Sequence, residues 1–184
     1  MKREKQKLLL HACCGPCSSS VLERLVNDYK VTIYFYNPNI YPETEYLRRK
    51  KELIDFINLK YVNEVNIVDA DYNQNDFYQV IAGLEEEKEG GNRCIECFKL
   101  RLLKTAEFAK NNYYDIFTTT LTVSPHKNSN NIFNVAKAIE EEYKVKFLYE
   151  NFKKNNGYLR SIEITKETGM YRQEYCGCQY SIRK

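Results

Sequence analysis

The chain has 184 residues, 43% of them hydrophobic and 29% charged, and a formal net charge of +3. That length suits one domain with a real core rather than two. No apolar run approaches the length of a transmembrane helix, and a charge this small does not by itself demand a nucleic-acid partner.

The basic start, Lys2-Arg3-Glu4-Lys5-Gln6-Lys7, leads into only three leucines, too few for the core of a signal peptide, so a cytoplasmic protein is expected. Lys7-Leu8-Leu9-Leu10 reads as a buried first strand. His11-Ala12-Cys13-Cys14-Gly15-Pro16-Cys17-Ser18 then turns the chain into a helix running to Val26, whose serines could cap its first turn. Three cysteines therefore sit at the carboxyl end of a strand, where open α/β sheets bind ligands. The bare amides and dipole of the helix favour thiolate there.

Lys30–Tyr36 is rich in β-branched and aromatic residues and reads as a second strand, broken by the two prolines of Asn37-Pro38-Asn39-Ile40-Tyr41-Pro42. Glu43–Leu59 follows as a helix, with Arg48-Arg49-Lys50-Lys51 on its solvent side. A third strand is expected at Glu64–Val68, and a helix over Asn75–Leu84. The glycine-punctuated stretch Gly83–Asn92 reads as a mobile flap. A long helix opens on Arg93-Cys94-Ile95-Glu96-Cys97-Phe98 and runs to about Asn111. Tyr114–Leu121 is the fourth strand and ends in the loop Ser124-Pro125-His126-Lys127-Asn128. Asn131–Tyr143 is helical, Val145–Tyr149 is the fifth strand, and the remainder, ending in Tyr175-Cys176-Gly177-Cys178, reads as a tail.

Strands that alternate with helices, without an internal repeat, predict a single three-layer, Rossmann-like α/β domain over residues 1–184 with a mostly parallel sheet of about five strands. Its segment 151–184 carries the CxC and is basic, with seven Lys/Arg against three Glu. The chain has neither GxGxxG nor GxxxxGK[ST], so neither standard nucleotide-phosphate loop is supported.

Seven cysteines in a reducing compartment point to metal or redox chemistry rather than structural disulfides. They form three groups: Cys13-Cys14 with Cys17, Cys94 with Cys97, and Cys176 with Cys178. Cys94 and Cys97 share a helix face at i, i+3, and with two thiolates of the first loop would make a four-cysteine site for zinc or an iron–sulfur cluster. Adjacent cysteines, whose side chains tend to point apart, suit several irons better than one tetrahedral zinc. The CxC pair can ligate metal or cycle between dithiol and a strained disulfide.

Taken together, the run from Leu8 to Ser18, Tyr36-Asn37-Pro38-Asn39-Ile40, Cys94 to Leu102, Thr118 to Lys127, and Gly157-Tyr158 through Met170 to Ser181 resembles the cobalamin-independent epoxyqueuosine reductases of the QueH type. The likeness covers nearly the whole chain, and five motifs in one order make it specific. It implies the last step of queuosine synthesis in tRNA, the two-electron reduction of the epoxide of epoxyqueuosine at the wobble position of GUN anticodons (Asp, Asn, His and Tyr acceptors). It also implies an electron donor of unknown identity, a 4Fe–4S cluster and an additional iron ion. Carried over, Cys13, Cys14, Cys94 and Cys97 would bind the cluster, and Cys176 and Cys178 would be the redox-active pair or hold the second metal.

Such a reaction needs an acid for the departing oxygen, with Tyr36, Tyr175, His11 and His126 as candidates, although a buried, hydrogen-bonded role suits His11 better. His126, Tyr158, Arg160 and Arg172, with Tyr171 beside them, are the candidates for tRNA contact, since unpaired bases are held by aromatic and basic side chains. Two other classes stay open. A non-enzymatic zinc module that binds RNA would be colourless. A metal-free thiol–disulfide enzyme would use Cys14-Gly15-Pro16-Cys17, which looks like a thioredoxin motif only in isolation.

Overall fold

A computed structural model describes residues 4–182, so Lys2, Arg3, Arg183 and Lys184 of the basic runs lie outside the described residues. Five parallel strands, β1 (Gln6–His11), β2 (Tyr29–Phe35), β3 (Asn66–Asp69), β4 (Ile116–Thr119) and β5 (Lys146–Phe147), form one sheet in the order β3-β2-β1-β4-β5. The helices are α1 (Gly15–Leu25), α2 (Glu43–Lys60), α3 (Gln74–Val80), α4 (Asn92–Asn111), α5 (Ser129–Tyr143) and α6 (Gly157–Thr168). Leu8 and Leu10 of β1 enter one core, with Val21 and Leu22 of α1, Leu53 and Phe56 of α2 and Ile164 of α6. Leu9, between them, enters the opposite core with Leu102 and Ala106 of α4 and Ile132 and Ala136 of α5. The period-two alternation of β1 thus divides the two outer layers, giving the expected three-layer Rossmann-like fold. Among the described residues no helix is long and apolar enough to cross a membrane.

The departures from expectation have local causes. α1 begins at Gly15 and is capped by Cys14, whose sulfur accepts from the Cys17 amide; the serines lie inside the helix, where the Ser18 and Ser19 hydroxyls donate to the carbonyls of Cys14 and Pro16. The fourth strand stops at Thr119 because the Thr119 hydroxyl caps the Leu121 amide and starts a 3-10 turn, Thr120–Val123. The basic run on α2 is not all solvated: Arg49 is buried. What read as a tail contains α6. It enters through two left-handed asparagines, Asn155 and Asn156, and leaves through left-handed Gly169. Gly157 opens it where a Cβ would lie 1.8 Å from the Phe152 carbonyl oxygen, a contact only glycine avoids.

His11 closes β1 wholly buried. Its Nε2 lies 3.0 Å from the Tyr36 carbonyl and must donate, so Nδ1 accepts from the Thr119 hydroxyl at 2.9 Å. Burial lowers its pKa to about 4, and the ring stays neutral. Thr119→Val strands Nδ1 and uncaps the Leu121 amide, so urea unfolding should show a loss of about 1–3 kcal/mol. A loss below about 0.5 kcal/mol, the scatter of indifferent substitutions, would mean that the His11–Thr119 bond does not hold β1 to β4.

Candidate metal and active site

β1 stands between β2 and β4, and the order of strands reverses there. The loops that leave β1 and β4 open into the crevice this creates, the usual ligand position in such sheets. The first loop brings Cys13, Cys14 and Cys17; the second brings His126 and Lys127. The sulfurs of Cys13, Cys14 and Cys17 all lie within 4.8 Å of one another, the only such group among the described residues. Adjacency does not separate the first two: Cys14 is extended at the helix N-cap (φ −171°, ψ 166°), and its sulfur lies 3.7 Å from that of Cys13. Thiol donation from Cys14 and Cys17 holds Cys13 well below the ordinary thiol pKa, with the Thr120 hydroxyl 3.4 Å away adding to it. Burial pushes Cys14 up to about 12, and donation to its two neighbours raises Cys17. Of the three, Cys13 is the one whose thiolate form its neighbours favour.

The other four cysteines gather a little further out. Cys94 and Cys97 lie in the first two turns of α4, with Cys97 packed in a small buried cluster with Cys178, Phe77 and Ile81. The Gly90 amide donates to the Cys94 sulfur at 3.2 Å. Burial raises Cys94 and takes Cys97 up to about 12, and the nearby Cys176 and Cys178 raise both further. Of the set expected for one cluster, Cys13 and Cys14 lie with Cys17, and Cys97 packs with Cys178.

The turn bearing Cys176 and Cys178 is tied down from α2. Arg49, only 1% exposed, pairs with Glu45 at 2.6 Å and donates to the carbonyls of Cys176 and Tyr175 at 3.0 and 3.1 Å. Gly177 has φ +133°, and a Cβ there would lie 3.1 Å from both Arg49 Nη1 and Ile40 Cγ1. The Tyr41 amide donates to its carbonyl at 2.8 Å. Gln173, just before this turn, donates from Nε2 to the Cys14 sulfur at 2.9 Å and ties the C-terminal segment to the first loop.

Between the two cysteine groups opens a pocket of about 280 Å³, with Cys13 and Cys17 on one wall, Cys176 on another, and His126, Lys127, Tyr158 and Arg172 around them. The Arg172 guanidinium lies 5.3 Å from the centre of the Tyr158 ring. Arg101 of α4 also lines the pocket. It is 1% exposed, it donates from Nε to the Cys97 carbonyl, and its Nη2 has no hydrogen-bond partner. Neither Arg101 nor Lys127 makes an ion pair among the described residues. Burial works against the Lys127 ammonium, but the sulfurs of Cys176, Cys13 and Cys17 outweigh it and raise its pKa. Two cations without carboxylates face two groups of thiols, the reverse of the usual protein ion pair.

Of the candidates for tRNA contact, His126, Tyr158 and Arg172 line this pocket. Arg160 does not; its guanidinium is held by Glu23, Glu163 and Glu167 at 2.8–3.1 Å and ties α6 to α1. Tyr171 stacks under Arg48 and donates to Glu45. Sequence reasoning left Cys17 without a role and passed over Arg49, Arg101, Lys127 and Gln173. Cys17 follows Cys14 at i+3 and Arg101 follows Cys97 at i+4, spacings that place each pair on one helix face. Nothing in the basic run singles out Arg49.

A protein-family model described as "Epoxyqueuosine reductase QueH" matches residues 8–184. Among curated proteins, the epoxyqueuosine reductase QueH of Streptococcus pyogenes serotype M1 is 44% identical over 182 residues, covering 97% of this chain and 71% of the relative. The one from Staphylococcus epidermidis is 42% identical over 98% of the chain and 78% of its own length. That of Thermotoga maritima is 35% identical over 95% and 90% respectively.

Proposed function

The chain belongs to the epoxyqueuosine reductase QueH family, and on that footing we propose that it is an oxidoreductase that reduces the epoxide of epoxyqueuosine in tRNA to queuosine, the last step of queuosine synthesis. Its substrates are then tRNAs with GUN anticodons, those for Asp, Asn, His and Tyr, met in the cytoplasm, with electrons from a donor of unknown identity. The observation that carries the reading is the pocket between two thiol groups at the point where the strand order reverses. The reaction takes in two electrons and two protons, breaks both C–O bonds of the epoxide, forms the alkene and releases water.

The residues fit a metal–thiolate centre. Cys13, Cys14 and Cys17 are a compact soft donor set, the Arg101 Nη2 and Gln173 Oε1 beside them are buried without partners, and the flanking cations suit an anionic group. We propose that Cys13, Cys14, Cys94 and Cys97 hold the 4Fe–4S cluster, and that Cys176 and Cys178 are the redox-active pair or hold the additional iron ion; the close approach of Cys17 to Cys13 and Cys14 favours, as a second reading, a cluster held by those three. When bound, these centres supply electrons one at a time and a Lewis acid for the epoxide oxygen.

The chain's own part is to bind, orient and stabilise charge. Tyr158 with Arg172 offers a stacking face for a base of the anticodon loop, and His126 stands at the rim for the neighbouring phosphate. Arg49 fixes Cys176 in the wall. Cys176 and Cys178, free thiols here, could alternatively store two electrons as a dithiol. In this reading Arg160 serves the fold.

The test is metal analysis and turnover on protein purified without oxygen. A brown protein with about four irons and four sulfides in the cluster and one further metal is expected. With dithionite as reductant it should convert epoxyqueuosine-containing tRNA to queuosine. A protein that stays colourless with one zinc after reconstitution, and converts nothing, would favour the RNA-binding zinc module. Turnover that survives removal of all metal would favour the thiol–disulfide enzyme.

A further inference from the structure

The epoxide oxygen leaves as an anion unless something in the pocket receives it, and most of the expected donors are engaged elsewhere. Both ring nitrogens of His11 are bonded inside the sheet. The Tyr36 hydroxyl donates to Asp76 at 2.8 Å, and that of Tyr175 donates to the Tyr41 carbonyl. Glu89 and Glu174 line the pocket but are exposed carboxylates, which repel an oxyanion, and His126 is exposed at the rim. The Nη2 of Arg101 is closed off from solvent.

Lys127 combines the needed properties. It lies on the loop that follows β4, half-buried, in the lining of the pocket. Its ammonium has no hydrogen-bond acceptor or carboxylate partner among the described residues, and Cys13, Cys17 and Cys176 line the same pocket. Its main chain is fixed from outside: Lys153 Nζ donates to the Lys127 carbonyl at 2.7 Å. A positive hydrogen-bond donor is thus held, uncommitted, between the two thiol groups.

We propose that Lys127 is a catalytic residue that hydrogen-bonds the epoxide oxygen of the substrate and stabilises the alkoxide formed when the first C–O bond opens. The proposal rests on the reductase reading above. Two electrons from the reductase's donor enter the carbon framework, both C–O bonds break as the C=C bond forms, and the oxygen takes two protons, ultimately from solvent, and departs as water. Lys127 ends the cycle with the protons it began with. Its contribution is a preorganised charge where the negative oxygen develops, which costs no reorganisation at the moment of reaction.

The experiment compares the metal-loaded wild type with Lys127→Ala and Lys127→Arg, using epoxyqueuosine-containing tRNA and dithionite. In the alanine variant kcat should fall about 100- to 1000-fold, the usual loss for one oxyanion donor, with KM for tRNA and metal content unchanged. Methylamine should restore its turnover in a saturable way without accelerating the wild type, and Lys127→Arg should keep part of the activity. A kcat within about three-fold of wild type, far from the loss expected of such a donor, overturns the proposal. So does a fall that methylamine does not relieve, or loss of metal. A raised KM with kcat retained, and a salt slope of tRNA binding reduced by about 1, would make Lys127 a phosphate contact instead. Wild-type protein that converts no tRNA overturns the reductase reading itself and the proposal with it, an outcome visible before any variant is made.

Discussion

Replacing Arg49 by leucine should cost about 3–5 kcal/mol, the usual penalty for removing one member of a buried ion pair, and should abolish turnover. The loss has three sources. Glu45, with a side chain only 10% exposed, loses the guanidinium it pairs with at 2.6 Å. The carbonyls of Tyr175 and Cys176 lose their donors in a place water reaches poorly. Gly177 loses the wall that its turn is folded against. Lysine should not rescue, because one ammonium cannot meet a carboxylate and two carbonyls in the plane that a guanidinium spans. Urea unfolding of metal-free protein measures the stability, and turnover after reconstitution measures the rest. A variant that is as stable as wild type to within about 0.5 kcal/mol and fully active would show that the Cys176 turn holds its place without α2.

The second large effect separates the two thiol groups. Cys97→Ser should remove the iron, the acid-labile sulfide and the brown colour of the cluster, whereas Cys17→Ser should stay brown with its iron and sulfide unchanged. Cys97→Ser should lose at least about a thousand-fold in turnover, as when a member of a catalytic unit is removed. If Cys17→Ser loses its iron and sulfide while Cys97→Ser keeps them, the cluster belongs to Cys13, Cys14 and Cys17 instead. The comparison discriminates because the two divisions differ only in where Cys17, Cys94 and Cys97 fall.

The layer order of the fold was legible because its signals are local. Leu8-Leu9-Leu10 and Val31–Phe35 are strands by composition, and each helix before residue 145 shows its apolar spacing. The ends were less legible where one side chain decides them: a cysteine caps α1, and Thr119 stops β4. α6 was missed because its entry depends on left-handed asparagines and a glycine packed on Phe152, a tertiary constraint within polar sequence. At the site, the cysteines announced themselves but their partition did not, since that depends on how 170–178 folds back over β1. A run of four basic residues cannot say which one turns inward; Arg49 is chosen by the carbonyls waiting for it.

Gln173 binds the Cys14 sulfur across 159 residues of chain. The thiols of the first loop are therefore synthesised long before the segment that covers them exists. On the ribosome Cys13, Cys14 and Cys17 emerge early, open to oxygen and to whatever metal is at hand, while Cys176 and Cys178 follow only after the whole sheet has been made. Order of synthesis thus sets an order of assembly, with the inner thiols ready for loading first and the outer group completed last, when the final turn settles onto α2. A chain released before residue 173 would lack the side chain that holds the Cys14 sulfur.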